Sequence, residues 1–144
     1  RLSTIHVEDS SQAHRVIVEP GAVLPLHATA SGLAYLAFLP PDEIDRALAR
    51  PLERFSAETV TDAGAVRTLL RETLERGYSI SQQGFEIGVI SAAAPILTPG
   101  GRPVGALAVA APTARADLAR MQEIGRKVAT AARGIAEKYY GNRT

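Results

Sequence analysis

Cysteine is absent from the 144 residues, which excludes disulfides, thiolate metal sites and cysteine nucleophiles together. A dominant charge is missing too. Sixteen Lys and Arg against fifteen Asp and Glu leave a formal net charge of +1, too little for a surface built to neutralise nucleic-acid phosphates. No apolar run approaches the roughly 18 residues that cross a bilayer, and no secretory leader is read at Arg1, so a soluble, cytoplasmic chain without membrane contact is expected. The three histidines, His6, His14 and His27, lack short ligand spacing; neither a metal nor any other cofactor is expected. A G-x-S-x-G elbow, a clustered acid pair and a phosphate-cradling glycine loop are missing as well.

What is there suits one small globular domain over residues 1–144, with 46% hydrophobic and 22% charged residues and no low-complexity tract. A chain of this size buries about two-thirds of its unfolded surface, enough for its own core. Leu2 to Val7 and His14 to Glu19 are β-branched-rich and flank a polar turn at Asp9 to Gln12, which predicts a strand pair. Ser31 to Leu39 predicts an apolar helix stopped by Pro40-Pro41, and Asp42 to Ala49 a short helix with acids in its first turn. Asp62 caps a helix over Ala63 to Arg76, with an apolar stripe of Val66, Leu69, Leu70 and Leu74 and a stop at Gly77. Tyr78 to Ser81 is a strand. Gly88 to Leu97 and Pro103 to Ala111 form two more, joined by the hairpin sequence P-G-G-R. Leu118, Met121, Ile124, Val128, Ala131 and Ile135 mark a long amphipathic terminal helix. Residues 113–144 hold seven Lys/Arg against three acids, read as a solvated helix face because no nucleic-acid module pattern accompanies them.

Two features point to a binding site. In L-P-L-H-A-T-A-S-G-L-A-Y-L-A-F-L, from Leu24 to Leu39, an extended entry runs through Thr29 and Ser31 into an apolar helix. Thr29 or Ser31 can be a plain N-cap, or the free amides and partial positive charge there can hold an anion. The second feature is alternation in the last two strands. Ser91 and Ala93 lie opposite Ile90 and Ile96, and Ala106, Ala108 and Ala110 lie opposite Leu107 and Val109. A face pared to methyls and a hydroxyl lets a helix pack closely or leaves room for a ligand. Four other residues also have two readings. His27 either donates to an anion or bonds a nearby carbonyl; Glu86 either faces a ligand or is an exposed loop charge; Tyr35 and Phe38 line a pocket or belong to the core. Tyr139 and Tyr140 suggest packing against another element or subunit. A small serine-dependent hydrolase using Ser31 or Ser91, with His27 as base, is the alternative class.

The Leu24 to Leu39 segment, R-G-Y-S-I at Arg76 to Ile80, G-V-I-S-A-A-A-P-I at Gly88 to Ile96 and G-A-L-A-V-A-A-P at Gly105 to Pro112 occur in this order. Together they resemble the effector-binding domain of IclR-type bacterial transcription regulators, from about Gly21 to Gly134. The resemblance implies a mixed α/β, GAF-like (profilin-like) fold with a curved, mostly antiparallel sheet flanked by helices. It implies no catalysis, a small organic-acid effector, self-association into a dimer or tetramer, and DNA contact only through a winged helix-turn-helix that nothing before Arg1 resembles. The start of the domain's own sheet also looks clipped.

The family's effector positions carry over to Ala30, Ser31, Ser81, Ser91, Ala108 and Ala110, with Thr29 and Gly32 beside them at the helix start. Members that bind small oxo-acids have an aspartate at the place of Ser81, a cysteine at Ser91 and serines at Ala108 and Ala110. With fewer polar atoms and no ionisable one, this set implies an effector with a larger apolar or aromatic body and a single carboxylate head, since each unpaired polar ligand atom costs about 1–3 kcal/mol. Gly84 and Gly88 are expected to let the loop from Ser81 to Ile90 move.

Overall fold

The computed structural model describes residues 2–3 and 23–141. Local signals set most of its helices. Thr29 caps α1 (Ala30–Ala37), and Pro41, whose missing N–H costs nothing in a first turn, opens α2 (Pro41–Leu48). Asp62 accepts from the Ala65 amide at 2.9 Å to start α3 (Ala63–Arg76), which ends as Gly77 turns left-handed at φ 86° and donates to the Thr73 carbonyl. Asp117 caps α4 (Leu118–Tyr140) by accepting from Arg120 at 2.8 Å.

β3 (Ser79–Gln82), β4 (Val89–Leu97) and β5 (Pro103–Pro112) form an antiparallel sheet in that order, with a bulge at Ile96/Leu97. The P-G-G-R connection is the expected hairpin, with Gly101 at φ 85° and Thr98 closing the turn onto Arg102. A separate pair joins β1 (Leu2–Ser3) to β2 (Val23–Leu24). Leu2 and Ser3 are thus in a strand as expected, but they pair with a segment just before α1. The remainder of the predicted Leu2–Val7 and His14–Glu19 pair lies outside the described residues, as do His6 and His14.

The two faces of the three-stranded sheet pack differently. Ile80, Ile90, Ala92 and Ala94 face α4, where Met121, Val128, Ala129 and Ala132 close a buried layer with Tyr78. Gly125 lies directly on the Tyr78 ring, and a Cβ there would collide with it. On the other face, Ala30 and Ala34 of α1 meet Ala93 and Ala106, so only methyls separate helix from sheet. A second apolar layer, with Leu33, Leu36, Leu48, Val66 and Leu70, ties α1 to α2 and α3. Each fully buried Leu in it stabilises the fold by about 1.5–3 kcal/mol.

Arg102, in the β4–β5 turn, grips Glu43 of α2 through both carboxylate oxygens at 2.8 and 2.9 Å. This hydrogen-bonded guanidinium holds the Glu43 carboxyl below its ordinary pKa and raises that of Arg102. A carboxyl with a lowered folded pKa contributes stability above its unfolded value and loses it as pH falls through the folded one. Arg102→Gln is therefore expected to flatten slightly the acid limb of urea stability measured from about pH 5 to pH 3, by the small amount an exposed pair can supply. An unchanged slope at low ionic strength would mean that the pair contributes nothing to stability.

Candidate functional site

Register assembles the face under α1. Ser81 pairs with Ser91 and Ser91 with Ala110, while Ser79 pairs with Ala93 and Ala93 with Ala108, giving two rows of small side chains across three strands. Two of the serines fasten the helix entry to the sheet. The Ser79 hydroxyl donates to the Ala30 carbonyl at 2.5 Å and that of Ser81 to the Ala28 carbonyl at 2.8 Å. The start of α1 is thereby held over β3 and β4, one strand from Ala108 and Ala110.

Thr29 is the N-cap. Its hydroxyl donates to the Pro25 carbonyl at 2.8 Å and accepts from the Gly32 amide at 3.0 Å, so both of its functions and that amide are committed. The amides of Ala30 and Ser31, in the first helical turn, have no intrahelical carbonyl to meet. Gly32 is required by close approach: a Cβ would lie 2.5 Å from the Leu26 Cα and 2.6 Å from the carbonyl oxygens of Leu26 and Pro25.

The eight residues expected at the site form two sets. Thr29, Ala30, Gly32 and Ser81 are buried and shape the helix start. Ser31 and Ser91 are half-buried, with no side-chain hydrogen bond among the described residues, and Ala108 and Ala110 are exposed. Ala93 and Ala106 let α1 pack closely, whereas Ala108 and Ala110, farther along β5, leave a shelf beside the helix start.

The neighbouring loop corrects one expectation. Gly84 is buried and its position is packed, since a Cβ would meet the Ser81 hydroxyl at 2.9 Å and the Ala28 carbonyl at 3.0 Å. The loop start is also latched: Ser56 and Thr59 donate their hydroxyls to the carbonyls of Gln83 and Gly84, each at 2.6 Å. Thr59 additionally accepts from the Phe55 and Ser56 amides. Gly88, at φ 84°, does serve backbone freedom, and Gln83 is left-handed at φ 59°. Thr59→Ala leaves the buried Gly84 carbonyl and two amides without their partner, and about 2–4 kcal/mol of folding free energy is expected to go, as read by denaturant titration. A loss under about 0.5 kcal/mol, the size of an ordinary surface change, would mean the latch contributes nothing.

His27 takes the plainer of its two readings, its Nε2 lying 2.7 Å from the Glu53 carbonyl oxygen and its ring 5.8 Å from that of Phe55. No serine–histidine hydrogen bond occurs among the described residues, and neither is a group of potential metal ligands found there. Glu86 is exposed, Tyr35 is half-buried, and Phe38 packs against the α1–α3 core layer. Tyr139 and Tyr140 meet edge to face with centroids 4.9 Å apart. No helix of the described residues is long and apolar enough to cross a membrane. The Ser56–Thr59 latch was missed from sequence, where its S-x-x-T spacing was the available signal.

Residues 2–137 match the family description "Bacterial transcriptional regulator IclR C-terminal". The chain belongs to the IclR family. It is 40% identical over 102 residues to the probable transcriptional regulator SauR of Cupriavidus necator, covering 70% of this chain and 40% of that protein. A putative IclR transcriptional regulator from Silicibacter sp. TM1040 aligns structurally with a TM-score of 0.84 and 37% identity, over 95% of this chain and 57% of the other. An IclR homolog from Microbacterium hydrocarbonoxydans, complexed with 4-hydroxybenzoate, aligns with a TM-score of 0.75 and 29% identity, over 89% and 52%. The chain spans about half or less of the curated relatives it matches, 40% of one and 51% of another. Within the IclR family it corresponds to the effector-binding, C-terminal domain, and its mixed α/β fold with an antiparallel sheet is the fold of those domains.

Proposed function

We propose that this IclR-family domain binds an organic acid with an apolar or aromatic body, and that binding modulates DNA recognition by a domain elsewhere in the full protein. The observation that carries the reading is the first turn of α1, whose Ala30 and Ser31 amides have no intrahelical carbonyl to meet, beside the exposed Ala108 and Ala110 on a face otherwise filled by α1. The carboxylate meets the amides of Ala30 and Ser31, where the helix dipole favours negative charge, with the hydroxyls of Ser31 and Ser91 in support. The body lies over Ala108 and Ala110. Thr29, Gly32 and Ser81 act as positioning residues through their hold on Pro25, Leu26 and Ala28. The 4-hydroxybenzoate held by the Microbacterium relative supports this ligand class.

The domain works without catalysis, cofactor or metal in this reading, within one cytoplasmic unit over residues 1–144. The full regulator pairs as a dimer or tetramer, as two-fold operators require. Calorimetric titration tests the ligand class. Benzoate and 4-hydroxybenzoate are expected to bind at least tenfold tighter than glyoxylate, because the residues at 81, 91, 108 and 110 offer few polar atoms to a compact oxo-acid. Preference for glyoxylate would overturn the ligand class, and His27-dependent turnover of an ester panel would restore the hydrolase.

A further inference from the structure

A cleft of about 500 Å³ opens outside the proposed effector site, between the Pro25–His27 segment, the C-terminal end of α2 and residues 50–55. That volume is within the usual range for small-molecule pockets, and none of the eight expected effector residues lines it. Its walls are mainly aliphatic and aromatic, with Leu26, Leu36, Leu48, Leu52 and Phe55 among them. Two guanidinium-bearing side chains, Arg46 and Arg50, line it as well, against the single acid Glu53. Arg50 makes no hydrogen bond or ion pair among the described residues. Arg46 has only a long 3.5 Å contact with Asp42, and both of those side chains are more than 70% exposed. His27 adds a ring held in place by the Glu53 carbonyl.

We infer that this cleft is a second ligand site, for an amphipathic organic anion such as a medium-chain carboxylate. Leu26, Leu52 and Phe55 receive the apolar body over the buried Leu36 and Leu48, and the Arg46 and Arg50 guanidiniums receive the head, a pairing the fork geometry of arginine suits. The apolar walls alone would accept any hydrocarbon; the surplus positive charge selects an anion. The inference does not depend on the helix-start site, since the two share no ligand-contacting residue.

Octanoate titrated into the ¹⁵N-labelled chain, followed by amide chemical shifts, is the test. Saturable shifts are expected at residues 26–27 and 46–55, and they persist in Ala108→Leu. The exposed pair Arg46→Ala/Arg50→Ala should weaken that binding tenfold or more while the rest of the spectrum superimposes on the wild type. Unshifted amides at 46–55, or shifts there that survive the double substitution at full affinity, overturn the second site. Failure of the helix-start reading would be recognised separately, with benzoate, at residues 30–32, 91 and 108–110.

Discussion

Gly32→Ala is expected to lower the free energy of unfolding by about 3 kcal/mol, at the upper end of what an overpacked site costs. The new methyl has no free volume: backbone atoms of Pro25 and Leu26 lie 2.5 to 2.6 Å from the position its carbon would take. Those atoms cannot yield as a flexible side chain would, because Pro25 is bonded through its carbonyl to Thr29 and the Ala28 carbonyl two residues beyond Leu26 is bonded to Ser81. Relief must come from shifting the entry segment or the first turn of α1, and either movement disturbs the cap that holds the Gly32 amide. Urea denaturation of the variant gives the number. A loss below about 0.5 kcal/mol would show that the entry segment is compliant and the helix start is not fixed by it.

Ala108→Leu is expected to do the opposite, removing most of the ligand affinity with little effect on folding. Ala108 is exposed although it stands on the same face as the packed Ala93 and Ala106, so a larger side chain enters open space at the shelf. Stability should stay within about 0.5 kcal/mol of wild type, as for surface changes. Benzoate affinity should fall by about a hundredfold, or roughly 2.7 kcal/mol, because the isobutyl group occupies the volume the ring needs. If the variant instead unfolds several kcal/mol more easily, the shelf is packed and the proposed pocket does not exist.

Much of the frame was readable from local chemistry. Asp62 and Gly77 bracket α3 as a cap and a left-handed stop, and period-two alternation in β4 and β5 placed Ser91, Ala93, Ala108 and Ala110 on one face, as the register has it. Signals of this kind reach no farther than a turn or a strand. The bonds from Ser79 to Ala30 and from Ser81 to Ala28 span 49 and 53 residues, and nothing in S-I-S announces that its hydroxyls fasten a helix entry. Gly84 shows the same limit. Read alone it offers backbone freedom, while in the fold its missing Cβ accommodates Ser81 and Ala28. Leu2 and Ser3 found their partner in Val23–Leu24 because strand pairing is decided by register and packing, which a run of β-branched residues does not specify. The cleft at Arg46 and Arg50 draws its walls from three separate stretches of chain, so no motif marks it.

In the proposed complex an acid's head sits at the start of α1 with its body on the β5 shelf. A crystal structure of the chain grown with saturating 4-hydroxybenzoate would show where each part lies. Carboxylate oxygens are expected about 2.7–3.1 Å from the amide nitrogens of Ala30 and Ser31, with the ring lying over Ala108 and Ala110. A carboxylate held elsewhere, with only solvent at those two amides, would contradict this placement.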